Sequence, residues 1–176
     1  MRELSLDEIF ERLGDYDLCN AVSGAVQERY GYDFLVMWPE SVPLTHKLTD
    51  FVWSMTGFLE NEGFARFFNS ECNHEAYPEC FDILGLSSLA TQIRTSLKFF
   101  PKSDLGNTDA LISHFGSWEK IEELVDSTES ELYAKSDEIE VALANYIRNH
   151  KCEYETLLPE IRNERAYKKL IGENTD

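Results

Sequence analysis

The chain has 176 residues, of which 33 are Asp or Glu and 16 are Lys or Arg, giving a formal net charge of -17. That length suits a core buried without metal or disulfides, and 43% hydrophobic and 12% aromatic residues exclude an acidic disordered tail. A pI near 4.5 argues against direct nucleic-acid binding and against an anionic membrane as partner, since both need Lys and Arg to replace counterions.

The opening segment, MRELSLDEIFERLG, places Leu6, Ile9, Phe10 and Leu13 at helical spacing. Ser5 with Glu8 three residues on is a capping-box signature, and Gly14 is the expected stop. This start has neither the basic region nor the continuous apolar run of a secretory signal, so a cytoplasmic protein is expected. A second helix is expected from Asp17 to Tyr30, with Leu18, Ala21, Val22, Ala25 and Val26 on one face and Gly31 ending it. Pro39 and Pro43 mark residues 32–43 as a connection, extended over Phe34 to Trp38.

From Leu44 the apolar positions Leu44, Leu48, Phe51, Val52, Met55 and Phe58 or Leu59 repeat at three and four until Gly63 breaks the pattern. Phe64, Phe67 and Phe68 follow and end at Asn69-Ser70. A helix is expected over Glu75 to Leu84, stopped by Gly85, and another from Ser87 or Ser88 to Phe100, stopped by Pro101. Thr108 is the expected cap of a short helix to Phe115. Ser117 is the expected cap of a longer one that turns Trp118, Ile121, Leu124, Val125 and Leu132 inward. Asp137 is the expected cap of the next, with Ile139, Ala142, Leu143, Tyr146 and Ile147 inward, and Leu157 to Ile171 reads as a final helix with Pro159 in its first turn. Strand alternation is almost absent. The expected architecture is all-α, one compact multi-helix domain of packed helical hairpins spanning residues 1–176. Helices 1–33 and 157–171 would pack on a central region of about 48–150.

The chemistry-bearing residues do not assemble into a motif. Cys19, Cys72, Cys80 and Cys152 form no CxxC pair and read as reduced thiols. Cys72, His74 and Cys80 lack a second ligand pair at zinc spacing, so no metal is expected. His46, His74, His114 and His150 have no flanking catalytic pattern, and no P-loop, GxSxG, HExxH or GxGxxG occurs. No catalytic residue and no cofactor is therefore assigned, and the protein is not expected to be an enzyme. Trp38, Trp53 and Trp118 fall on apolar faces without interleaved bases and read as packing residues.

Charge is unevenly spread. Residues 117–140 hold nine acids and two bases, whereas residues 141–176 hold six of each. On the helix from Ser117, the acids Glu119, Glu122, Glu123, Asp126 and Glu129 share one side, away from the apolar set. Their axial steps of about 4.5–6 Å compare with about 3.4 Å per nucleotide along one strand of B-DNA. Like charges at these spacings cost a few tenths of a kcal/mol per pair. Folding does not require such a stripe, although a solubilising face is the simplest account of it.

The segment Asn61-Glu62-Gly63-Phe64-Ala65-Arg66-Phe67-Phe68-Asn69-Ser70 resembles the Gly-Phe-x-x-Phe-Phe-x-Asn signature of the DMP19-like family, a family of DNA-mimic proteins also described as domain of unknown function 4375. Cys80-Phe81-x-x-Leu84-Gly85, Ala90 and Leu97-x-Phe99-Phe100-Pro101 are similar to its next two helices, and Val125-Asp126, Leu132-Tyr133 and Leu143-x-x-Tyr146-Ile147 to its later ones. The likeness covers roughly Leu48 to His150. Its motif residues Gly63, Phe64, Phe67, Phe68, Asn69, Phe100 and Pro101 read as core and helix punctuation, with Gly63 allowing a helix–helix corner. The family often has two Gly there, and the first is Glu62 in this chain.

The resemblance implies an acidic bacterial protein that regulates transcription by occupying the DNA-binding face of a basic DNA-binding protein. Glu119, Glu122, Glu123, Asp126 and Glu129 are the candidate phosphate surrogates from this chain's own charge pattern, joined by Asp137, Glu138 and Glu140. An immunity or antitoxin-like inhibitor of a basic toxin, and an enzyme with a pocket between helices, stand as alternatives. A homodimer joining two acidic faces is left open, and the balanced charge of residues 151–176, with Arg162, Arg165, Lys168 and Lys169, points to docking against acids of this or another subunit.

Overall fold

A computed structural model of the chain describes residues 3–31 and 38–173. Every regular element among these residues is helical. The order is α1 (Leu6–Arg12), α2 (Asp15–Tyr30), α3 (Leu44–Glu62), α4 (Ala65–Asn69), α5 (Ala76–Ile83), α6 (Ser87–Leu97), α7 (Thr108–Phe115), α8 (Trp118–Ala134), α9 (Ser136–Asn149), a 3-10 helix (Lys151–Leu157), α10 (Leu158–Asn163) and α11 (Arg165–Leu170). The all-α reading holds. No helix among the described residues is long and apolar enough to cross a membrane. The chain groups into two compact units, one of Met1–Ser54 with Glu140–Asp176 and one of Met55–Ile139.

In the first unit, the Glu8 N–H donates to Ser5 Oγ (3.3 Å) and the Ser5 N–H to Glu8 Oε2 (2.9 Å), closing the capping box of α1. The chain leaves α1 at Leu13, and Gly14 caps α2 instead of merely ending α1. Gly31 closes α2 in a left-handed conformation (φ 84°), as its lack of a Cβ permits. Leu18, Ala21, Val22, Ala25 and Val26 are fully buried, as are Leu48, Phe51 and Val52 of α3 and Tyr154, Leu157 and Ile161 of the C-terminal segment. Leu44 begins the periodic pattern of α3 and yet is 50% exposed, although Thr45, His46 and Lys47 beside it in the first turn are buried. The extended stretch expected at Phe34 to Trp38 lies outside the described residues, save Trp38.

Basic residues of the C-terminal segment tie this unit together. Arg148 donates to the Phe10 and Leu13 carbonyls at the end of α1 (3.2 and 3.1 Å) and to Asp15 (2.7 Å). Arg29 forks onto Glu160 (2.6 and 3.0 Å). Arg162 reaches Glu3 (2.7 Å) and Lys151 reaches Asp7 (2.5 Å). The single helix expected over Leu157 to Ile171 is two helices. Glu164 turns extended (ψ 147°) between α10 and α11, and Leu157 ends the 3-10 helix. Pro159 does sit in the first turn of α10, where its missing N–H leaves no bond unmade.

The second unit is built on the aromatic motif. Phe64, Phe67 and Phe68 are fully buried and pack edge-on or stacked on one another, and Phe68 lies parallel to Phe100 at 3.8 Å between ring centroids. Gly63 makes the corner between α3 and α4 at φ 87°, where any other L-residue is strained; Glu62 stays helical, so one glycine suffices. Asn69 accepts the Thr108 hydroxyl. That hydroxyl is therefore not the cap of α7: Asn107 is, accepting the Ala110 N–H at 3.1 Å. Likewise α9 begins at Ser136, which puts Asp137 inside the first turn instead of at the cap. Helix α6 stops at Leu97, and Lys98 to Phe100 continue only as turns before Pro101.

Candidate functional site

Helix α8 carries the acids, and its geometry separates them into two kinds. Ser117 Oγ accepts the Lys120 N–H (3.4 Å) and starts the helix as its spacing implied. Its own backbone N–H and the Ser117 side chain hold the Glu119 carboxyl below its usual range. With about 100° per residue, Glu122, Glu123 and Asp126 lie within about 60° of Glu119, whereas Glu129 lies about 80° away and only about 40° from Val125. Val125 is fully buried with Ile121 and Leu132. Glu129 is thus at the margin between the wet and the packed face.

The side chains follow that angle. Glu119, Glu122, Glu123 and Asp126 are exposed, while Glu129 is half-buried. All five line a hollow of about 500 Å³ together with Gly63 and Ala65, and among the described residues no base lines it. Within it, Glu129 Oε2 accepts the Phe64 N–H at 2.6 Å, an orphan donor at the start of α4. Tyr133, one turn on, donates to the Leu59 carbonyl at 3.3 Å, near the end of α3. Burial and the neighbouring Glu129 and Glu60 push the Tyr133 phenol upward. Glu129 and Tyr133 therefore brace the Gly63 corner, leaving four carboxylates directed to solvent. This bracing was not read from the stripe, though the closeness of Glu129 to Val125 on the wheel is its signal.

The other candidate acids stand apart from this hollow. Asp137 and Glu138 are exposed on α9 and do not line it; Glu138 pairs with Lys135 at 2.7 Å. Glu140 falls in the first unit, half-buried, with its carbonyl accepting the Cys19 thiol at 3.8 Å.

The four histidines do not converge. His46 is fully buried, between the Tyr30 hydroxyl (3.1 Å) and the Glu153 carbonyl (2.8 Å). His74 Nε2–H donates to the Phe67 carbonyl (2.9 Å). Burial lowers the pKa of both. His114 faces Asp104 at 3.6 Å, and His150 bonds its own helix at Tyr146. The Cys72 thiol is pushed up to about 12 by burial, and Cys80 is buried. Among the described residues no three His, Cys, Asp or Glu side chains gather as a metal site would need. The tryptophans are all half-buried; Trp118 stacks under the Arg66 guanidinium at 4.9 Å, and Trp53 donates to Asn20.

A family model described as DMP19-like protein matches residues 41–150. That range contains the aromatic motif, the Gly63 corner and the whole of α8. No curated protein and no solved structure matches the chain.

Proposed function

The chain belongs to the DMP19-like protein family, and from that premise we propose that it is an acidic binding module that takes the place of DNA on the DNA-binding face of a basic protein such as a transcription factor. The observation that carries this reading is the row Glu119, Glu122, Glu123 and Asp126, exposed along one side of α8 over a hollow with no base in its lining. Four uncompensated carboxylates on a rigid helix offer Lys and Arg side chains the negative edge that a phosphate row would offer. Individually, exposed ion pairs contribute about 0.2–1 kcal/mol. The row therefore acts through steering and register, speeding encounter with a basic groove and rejecting acidic surfaces. The action is binding, with no chemical step, and Glu129 supports the row by bracing its floor.

The experiment is capture of basic nucleic-acid-binding proteins from a bacterial lysate on the immobilised chain, then competition with duplex DNA. The expected result is a captured DNA-binding protein that the chain displaces from labelled DNA. The variant Glu119→Gln, Glu122→Gln, Glu123→Gln, Asp126→Asn should displace at least about tenfold less well, the effect of about 1.4 kcal/mol. Capture of no such protein, or equal displacement by the variant, sinks the reading.

A further inference from the structure

A second hollow of the Met55–Ile139 unit, of about 540 Å³, lies along α5 and α6. Its floor is Pro78, Leu97 and Phe100. Its charges are sorted by element: Glu75 and Glu79 come from the start and middle of α5, whereas Arg94 and Lys98 come from the end of α6, with Lys102 just beyond. The unit as a whole holds 16 acids against six bases. Three of those six bases line this one hollow, against two acids, Glu75 and Glu79. Ile83 is four residues after Glu79 on α5, and Phe99 adjoins Lys98; both are 46% exposed.

Some of the rim is already satisfied within the chain. Arg94 pairs with Asp82 at 2.5 Å and Lys102 with Glu75. Glu79 and Lys98 have opposite charge and share the hollow, yet they form no ion pair with each other or with another described residue. One lines the acidic side and the other the basic side.

We infer that this α5–α6 surface seats a second copy of the chain, related by a two-fold axis that sets the acidic side of each hollow against the basic side of the other. A two-fold contact joins one patch to itself, so the patch must be its own complement. With acids on α5 and bases on α6, an axis running along the hairpin places α5 opposite the partner's α6 and gives Glu79 and Lys98 their missing counterparts twice over. The alternative axis, across the hairpin, sets acid against acid and is repulsive. A wholly acidic or wholly basic partner would meet one like-charged side, whereas a second copy meets none. The apolar floors, with Ile83 and Phe99, are what the contact removes from water. This inference stands apart from the DNA-mimic reading, because α8 contributes no residue to the hollow.

The test is molar mass by light scattering during dilution from about 500 to about 1 µM, in salt near 0.15 M. Wild-type chain is expected to rise with concentration from 20.3 kDa toward twice that mass. Lys98→Glu alone and Glu79→Lys alone each place like charges together at both symmetric contacts, and each is expected to dimerise at least tenfold more weakly. The equimolar mixture of the two variants, and the double swap Glu79→Lys with Lys98→Glu, restore opposite charges at both contacts and should recover the dimer. Both positions are exposed, and unchanged helical circular dichroism verifies that the variants fold. A wild-type mass that stays at 20.3 kDa throughout, single variants that dimerise like wild type, or a mixture that does not recover, would each overturn the inference.

Discussion

At the residue scale, Glu129 and its neighbours on α8 place one residue type in two settings a turn apart, braced against the Gly63 corner and exposed to solvent. Glu129 accepts a backbone N–H that would otherwise be an orphan at a helix start, and it closes over a glycine in a left-handed conformation. Glu129→Ala is expected to lower the unfolding free energy by about 1–3 kcal/mol, read as a drop in the urea midpoint. Glu122→Ala and Asp126→Ala should change it by less than about 0.5 kcal/mol. An equal loss at all three positions would refute the division of roles. The buried histidines give a second handle. His46 and His74 are kept neutral by burial, so the unfolded chain, with a pKa near 6.5, takes up protons first as pH falls. Stability should therefore be level above about pH 7.5 and decline as pH drops through 6.5 toward the lower folded values. Asp50 runs the other way. Buried, with Ser23, Gln27 and Ser54 all donating to one oxygen, its carboxyl is raised, and it regains stability on protonation at lower pH. Urea midpoints at pH 7.5 and 5.5 check the sign for the histidines, and His46→Gln with His74→Gln should flatten the slope.

At the element scale, α8 accepts a cost that its fold does not demand. Glu119 and Glu123, and Glu122 and Asp126, are like-charge pairs four apart on an exposed face. Removing one member, as in Glu122→Gln, should raise helix stability by roughly 0.5 kcal/mol while weakening partner binding. A thermal shift upward coupled to loss of DNA competition is the expected pair of results; loss of stability would mean the stripe is structural. Most helices were legible because their caps and periods are local: Ser5 with Glu8, Ser117, Gly31, Gly63 and Gly85 all stand where helices start or stop. The exceptions have distant causes. Asn107 outcompeted Thr108 as a cap because the Thr108 hydroxyl is taken by Asn69 in the packed unit. The break at Glu164 carries no Gly or Pro signal. Its carboxylate lies over Gly24 of α2, a long-range placement that the run of helical spacing could not reveal.

At the scale of the whole molecule, the negative charge is divided unevenly between the two units. The Met55–Ile139 unit carries a net charge of -10, from 16 acids and six bases, and the remaining residues carry -7. Many acids of the first unit are spent inside it: Glu3, Asp7, Asp15 and Glu160 are paired by Arg162, Lys151, Arg148 and Arg29. The docking expected of the C-terminal bases is thus met within the chain by Arg162, together with Lys151. Among the described residues no base pairs with Glu119, Glu122, Glu123 or Asp126 on α8. Binding to a basic partner should accordingly weaken as salt rises from about 0.05 to 0.5 M, over which the screening length shrinks severalfold. The association rate should respond more than the dissociation rate. Surface plasmon resonance across that range measures both, and salt-independent association would exclude a steered encounter.

The amino-acid order by itself determined the helical class, most helix ends, the aromatic core around Phe64, Phe67 and Phe68, and the concentration of acid on one side of α8. Each of these follows from periodicity, capping chemistry or composition within a few turns of chain. Only the tertiary structure decided which acids remain available. The Phe64 N–H that takes Glu129, the arginines and lysines that take the N-terminal acids, and the separate unit that holds Glu140 are set by residues far away in sequence. Whether a carboxylate stays free for a partner depends on what folding brings beside it.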